Sequence, residues 1–228
     1  MNGFPRIRCV GDSGILVEFG DRIAFDVNDR VVALDRALQE APPPGLVSLT
    51  PAYASLLVGY DPLTTTPETL IAAIEATDHN ASPVPAGAQG VEIPVCYDPP
   101  YGPDLARVAA DTGRSVEAVV AAHLSASYRV YMYGFAPGYA YLGGVAPEIQ
   151  VPRRTTPVRD VPTGSVIIAG PQCIVTTVMM PTGWWIIGRS PARIFRPEDP
   201  EPFLLQVGAE VRFLRISAAE LAARCDDG

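Results

Sequence analysis

Residues 128–144 read YRVYMYGFAPGYAYLGG, and residues 183–191 read GWWIIGRSP. Between Tyr128 and Arg189, aromatic and glycine residues crowd together at Tyr131, Tyr133, Gly134, Phe135, Gly138, Tyr139, Tyr141, Gly143 and Gly144. Arginines then follow at Arg153, Arg154, Arg159 and Arg189. Glycine lets a backbone turn sharply or lie close to a ligand. Aromatic rings make rigid pocket walls, and an arginine fork holds a carboxylate or phosphate through two parallel hydrogen bonds. The same residue types also describe a small β-barrel, with glycine at the corners and aromatics inside. On residue types alone the barrel takes precedence, because many unrelated sites are built on few folds.

Periodicity around this segment supports the barrel. Short β runs at 128–133, 165–169, 173–178, 184–188, 192–196 and 210–216 are separated by Gly and Pro, the spacing of a closed or nearly closed antiparallel barrel. Upstream, Val91, Ile93, Val95 and Tyr97 alternate as a strand, and helices are expected near Asp104–Thr112 and from the cap Ser115. On the second helix Val116, Val119, Val120 and His123 share one face, so His123 is expected to be partly buried. Ser217-Ala218-Ala219-Glu220 is a capping box that opens a terminal helix.

The N-terminal part reads differently. Strands are expected at 6–10 and 15–19, joined by the turn Gly11-Asp12-Ser13-Gly14. Although this turn spells the string around a serine-protease nucleophile, no histidine precedes it, and it reads as turn chemistry. Asn28 is placed as the cap of a helix running to Ala41, where Pro42-Pro43-Pro44-Gly45 ends it. Strands at 46–50 and 54–60 and a helix capped by Thr66 with Pro67 at its first position complete a ββαββα order. The polar link from His79 to Gly90 marks a boundary between an α+β domain, 1–84, and the barrel domain, 85–228.

The totals exclude several functions. Nearly half of the 228 residues are hydrophobic, so the chain folds around an ample core. A net charge of -8 argues against nucleic acid and anionic membrane as partners. No apolar run approaches the roughly 20 residues that cross a bilayer. The N-terminal stretch lacks a leader's apolar segment, which points to the cytoplasm. Cys9, Cys96, Cys173 and Cys225 stand singly and are expected reduced and mostly in the core; with only His79 and His123 to join them, no metal site is expected. All 17 basic residues are arginine. Without lysine the chain has no Walker A loop, Schiff-base lysine, biotinylated lysine or Ser-Lys dyad.

Residues 131–144, together with Pro152-Arg153-Arg154, Val161-Pro162-Thr163-Gly164-Ser165-Val166, Gly183-Trp184 and Ile187-Gly188-Arg189-Ser190-Pro191, closely resemble the signature of one family. It is variously named allophanate hydrolase subunit 1, KipI and the B subunit of 5-oxoprolinase (carboxyltransferase subdomain C and D). The N-terminal GDSGILVEFG and the midchain LLVGYDP are similar to its members too. The resemblance implies a small α+β domain followed by a cyclophilin-like β-barrel domain with flanking helices. It also implies a partner, an allophanate hydrolase subunit 2 (KipA-type) protein, joined in the oxoprolinase form by a LamB/YcsF-type third subunit. In that form, ATP-dependent hydrolysis of 5-oxoproline gives glutamate. Similar domains in urea carboxylase move a carboxyl group from biotin borne elsewhere, and KipI is named as an inhibitor of a sensor histidine kinase. The chain departs from the family's pattern around Gln172-Cys173 and at Met180-Pro181-Thr182-Gly183, where Thr182 replaces a glycine.

Three functions therefore stand at this point. The leading one is a subunit of an amide- or lactam-acting hydrolase that binds no cofactor alone and draws on ATP within the complex. The others are a component of carboxyl transfer in allophanate–urea metabolism, and a kinase inhibitor needing no catalytic residue. For the enzyme, Arg153, Arg154 or Arg189 is expected to clamp the substrate carboxylate, with Phe135, Gly138, Tyr139 and Trp184 shaping the pocket. Gln172 is expected to bind the lactam carbonyl, and His123 is the candidate proton carrier. Arg154→Ala or Gln172→Ala is expected to spare folding while lowering activity of the complex.

Overall fold

The structure, a computed structural model, describes residues 3–77 and 90–226. The chain divides into two compact units, Met1–Ala88 and Gln89–Gly228. The boundary expected at 84/85, within the link from His79 to Gly90, falls on 78–89, outside the described residues.

In the first unit, β1 (Arg6–Val10), β2 (Gly14–Glu18), β3 (Leu46–Pro51) and β4 (Ser55–Tyr60) form an antiparallel sheet in the order β1-β2-β4-β3. Alternation along β2 and β4 turns Ile15, Val17, Leu56 and Val58 to one face. Val31, Leu34 and Leu38 of α1 (Phe25–Glu40) and Leu70 and Ile74 of α2 (Pro67–Ala76) pack on it. The Thr66 hydroxyl caps α2 by accepting from the Thr69 amide at 3.3 Å. Asn28 is not the cap of α1, which begins a turn earlier. Its side chain is fully buried and donates to the carbonyls of Ala52 and Tyr53 at 3.2 and 3.3 Å, pinning the helix to the β3–β4 turn. An asparagine preceding an apolar stripe satisfies both readings until its tertiary partners are known.

The second unit is a nearly closed barrel. Strands β5 (Val91–Val95), β6 (Tyr128–Tyr133), β7 (Ala140–Gly143), β9 (Ser165–Ala169), β10 (Gln172–Val175), β12 (Trp185–Arg189) and β13 (Glu210–Arg215) run in the order β12-β9-β10-β7-β6-β13-β5. Neighbours are antiparallel except β13 and β5, which are parallel. Cys96, just past β5, and Arg189 exchange backbone hydrogen bonds of 2.8 Å both ways, which joins the two edges. This bridge covers part of the edges that β12 and β5 would otherwise expose.

Helices α3 (Leu105–Thr112) and α4 (Val116–Ser125) cover one part of the barrel, and α5 (Ala218–Asp226) follows it. Ser115 caps α4 through the Ala118 amide at 3.1 Å, and Ser217 and Glu220 form the reciprocal capping box. A two-stranded ribbon, β8 (Val158–Val161) with β11 (Met180–Thr182), lies outside the barrel strands. All five residues of β9 are buried because apolar side chains meet both faces, which explains its unbroken Val-Ile-Ile run.

The run 192–196 is not a strand; it contributes only a bridge between Phe195 and Phe203. The strands β7, β8 and β11 are too short, and too broken by Gly and Pro, to signal themselves by alternation. Val116 is 40% exposed although its helical neighbours Val119 and Val120 are buried. Cys96 and Cys173 are core residues, whereas Cys9 and Cys225 are exposed.

Candidate substrate cleft

Two residues of alternation build the site. Trp185 pairs across β12–β9 with Ile168, and Ile186 with Ile167. Trp185 and Ile187 therefore pack on the main core, while Trp184 and Ile186 join Tyr139, Ile167 and Ile174 in a second cluster on the opposite face. Beside this cluster lies a cleft of about 150 Å³ whose walls include Phe135, Tyr139, Tyr141, Arg153, Thr182 and Trp184. Its aromatic wall is continuous. Phe135 lies 5.5 Å from Tyr139, Tyr139 is edge-on to Tyr141 at 5.8 Å, and Tyr141 is edge-on to Trp184 at 6.0 Å.

The turn after β6 presents this wall. The Gly134 amide donates to the Tyr139 carbonyl at 3.2 Å, and the Tyr139 amide donates to the Ala136 carbonyl at 3.0 Å. Phe135 adopts a positive φ of 72°, which throws its ring outward to 76% exposure. Gly138, with φ of 68°, lies so close to Phe195 that a Cβ would sit 2.5 Å from that residue's own Cβ. Gly138 thus shapes the turn without lining the cleft.

Arg153 is exposed, and its guanidinium carbon lies 5.4 Å from the centre of the Trp184 ring. Its backbone is fixed next door, where the Arg154 amide donates to the Gly183 carbonyl at 2.7 Å. The Thr182 hydroxyl accepts from the Trp184 amide at 3.1 Å, so Thr182 organises the turn that carries the tryptophan. Burial pushes the Tyr139 and Tyr141 hydroxyls above their usual range, against a smaller opposing effect of the Arg153 charge. They stay protonated at neutral pH. Tyr141, Met180, Pro181 and Thr182 were not assigned to the site from sequence, although Tyr141 belongs to the aromatic run and the others directly precede the Gly-Trp-Trp motif.

Phe135, Tyr139, Arg153 and Trp184 thus come together, and the other expected residues lie elsewhere. Arg154 forms an ion pair with Asp104, and its guanidinium carbon lies 4.2 Å from the Trp185 ring centre. Asp104 also accepts from the Ile186 amide at 2.7 Å, and Trp185 donates to the Pro152 carbonyl at 2.7 Å. This arginine ties β12 to the start of α3, so its truncation is expected to affect folding, contrary to the reading from sequence. Gln172 opens β10 opposite Gly143 and Ala169 and is half-buried. Arg189 lines a separate cavity. Arg159 lies beside a larger shallow depression of about 630 Å³ that shares Met180 and Pro181 with the cleft.

His123 is fully buried, not partly so. Its Nδ1 lies 2.8 Å from the Tyr97 hydroxyl, its Nε2 lies 3.6 Å from the Cys173 sulfur, and its ring lies 4.5 Å from that of Phe213. Burial lowers its pKa to about 3, so it is neutral across the physiological range. It does not line the cleft. Among the described residues no cluster of three or more His, Cys, Asp or Glu side chains is placed to hold a metal ion, and no helix is long and apolar enough to cross a membrane.

Residues 5–205 match the family described as carboxyltransferase domain, subdomain C and D. The chain belongs to that family. It is similar to the 5-oxoprolinase B subunit of Bacillus subtilis (strain 168), at 38% identity over 96% of this chain and 95% of that protein. It is also similar to the 5-oxoprolinase B subunit of Escherichia coli O157:H7, at 35% identity over 92% of this chain and 96% of that one. Among solved structures, the crystal structure of TTHA0988 superposes with a TM-score of 0.82 and 37% identity over 93% of this chain. The alignment takes up 41% of TTHA0988, so this family member's fold is part of a longer chain there.

Proposed function

We propose that this chain is the B subunit of a 5-oxoprolinase, supplying the cleft that grips 5-oxoproline within an ATP-hydrolysing hetero-oligomer. The observation that carries the reading is Arg153, an exposed arginine held over Trp184 at the mouth of a small aromatic cleft. A guanidinium fork there matches the carboxylate of a five-membered lactam, and the Tyr139 and Trp184 rings match its flat face. The identity to two proteins named as B subunits of 5-oxoprolinase supports the same substrate.

The cleft binds and orients, and other subunits complete the chemistry. Among the described residues no Asp, Glu, His or Cys lines it, so it offers no side chain that exchanges protons near neutral pH. Opening the lactam breaks its C–N bond, adds water to the carbonyl carbon and leaves the nitrogen as the glutamate amine. Activation of that carbonyl by ATP falls to an allophanate hydrolase subunit 2-type partner and a LamB/YcsF-type third subunit. The longer chain of TTHA0988 supports a physical association of this fold with further protein.

The test is co-expression with both partners, followed by assay with 5-oxoproline and ATP, and in parallel with urea and allophanate. Glutamate formation coupled to ATP hydrolysis is expected for the complex and neither activity for the isolated chain. Turnover of urea or allophanate in place of 5-oxoproline would defeat the reading, as would turnover by this chain alone.

A further inference from the structure

Arg189 lines a second cavity, of about 310 Å³, that shares no lining residue with the cleft. Its wall joins two turns whose motifs stand out in the sequence, Val161–Ser165 and Gly188–Pro191. The turns are locked together. Gly164, with φ of 81°, approaches the Ser190 carbonyl so closely that a Cβ would lie 2.3 Å from it. The Ser190 amide donates to the Gly164 carbonyl, and the Gly164 amide to the Thr176 carbonyl, each at 2.8 Å.

This lock brings three uncommitted donors to one space. Arg189 is half-buried and makes no ion pair with any described carboxylate. Ser190 is buried, and its oxygen accepts from the Ala192 amide at 3.1 Å, which leaves its proton available. Thr163 contributes an exposed hydroxyl. The neighbouring hydroxyls are already spent, Thr176 on the Pro162 carbonyl and Thr177 on the Pro137 carbonyl, each at 2.8 Å. No Asp or Glu lines the cavity among the described residues, and the second arginine there, Arg193, is paired with Glu198. In a chain of net charge -8, one half-buried arginine without a described acidic partner, beside two hydroxyls, is a site for an anion.

We propose that this cavity binds a phosphate-type oxyanion. A planar carboxylate is satisfied by the arginine fork alone, whereas donors from three residues on two turns match the several oxygens of a tetrahedral group. The cavity also touches the cleft's own turn: Thr177 holds the Pro137 carbonyl, and Phe195, which lines the cavity, packs against Gly138. Occupancy therefore bears on the loop that carries Phe135 and Tyr139. The proposal stands on this geometry and not on the identity of the reaction.

Isothermal titration calorimetry of the full chain with inorganic phosphate, and separately with ATP, tests it. Binding of either supports the proposal: phosphate identifies the free ion as the source, and ATP alone identifies a nucleotide's phosphoryl group. Arg189→Gln, which keeps the backbone bonds that close the barrel, should weaken binding by at least about tenfold. Thr163→Val, on an exposed turn, should weaken it by about threefold, and Arg153→Ala should leave it unchanged. Absence of binding by both ligands overturns the proposal. So does equal affinity in Arg189→Gln and wild type, or preference for acetate over phosphate.

Discussion

Two arginines adjacent in sequence face two tryptophans adjacent in sequence, and the pairs have opposite fates. Arg153 lies over Trp184 at the open cleft. Arg154 lies over Trp185 and closes on Asp104, with side-chain exposures of 18% and 15% for the ion pair. The strand-like alternation of Trp184 and Trp185 sends one ring to each side, and each ring takes the arginine on its side. Asp104 pairs with Arg154, whereas Arg153 makes no ion pair with a described carboxylate. Residue type supplies the chemistry, and the location of the nearest acid decides who uses it.

This contrast can be broken by exchanging which arginine is lost. The largest effect is expected in activity: Arg153→Ala should lower kcat/KM of the reconstituted complex for 5-oxoproline by about 100-fold or more, with stability changed by less than about 0.5 kcal/mol. Steady-state kinetics and urea denaturation read the two arms. Acid probes the core independently of the cleft. His123 has a folded pKa of about 3, below its ordinary 6.5, so the unfolded chain binds the proton more readily. The stability that His123 contributes is full above pH 6.5 and is lost as pH falls from 6.5 toward 3. The slope approaches about 1.4 kcal/mol per pH unit. Denaturation midpoints at pH 7, 5.5 and 4.5 check this, and a flat profile would contradict the buried neutral imidazole.

Arg154→Ala should cost about 2 kcal/mol, because Asp104 is left mostly buried with only the Ile186 amide as partner. The folded complex should keep its activity within a few-fold. Asp104→Asn should produce a similar loss of stability, and the double variant less than the sum, since both remove one interaction. The smallest effect is expected from Thr182→Gly, which removes the acceptor for the Trp184 amide and should cost about 1 kcal/mol. A larger activity loss than Arg153→Ala would move the centre of the site from the arginine to the turn.

The barrel, the ββαββα unit and the caps Thr66, Ser115 and Ser217 were legible because each rests on local rules of period, propensity and capping. Four of the nine residues that line the cleft, Phe135, Tyr139, Arg153 and Trp184, sit in motifs whose residue types describe a pocket, so their grouping was legible. The sequence did not separate Arg153 from Arg154, because 152–154 has no secondary-structure period and Asp104 lies about fifty residues upstream. His123 reads as a core-facing helical residue, but its full enclosure depends on Tyr97, Cys173 and Phe213, which arrive from three different parts of the chain. Asn28 misled for the same reason, since its partners Ala52 and Tyr53 lie beyond the next strand.

The most direct measurement is kcat/KM for 5-oxoproline in the reconstituted complex carrying Arg153→Ala, beside the same complex carrying Arg154→Ala, each with its unfolding midpoint. A catalytic loss of about 100-fold with normal stability is predicted for the first, and near-normal catalysis with reduced stability for the second. Equal catalytic losses, or a greater loss with Arg154→Ala, would contradict the division of labour between the two arginines.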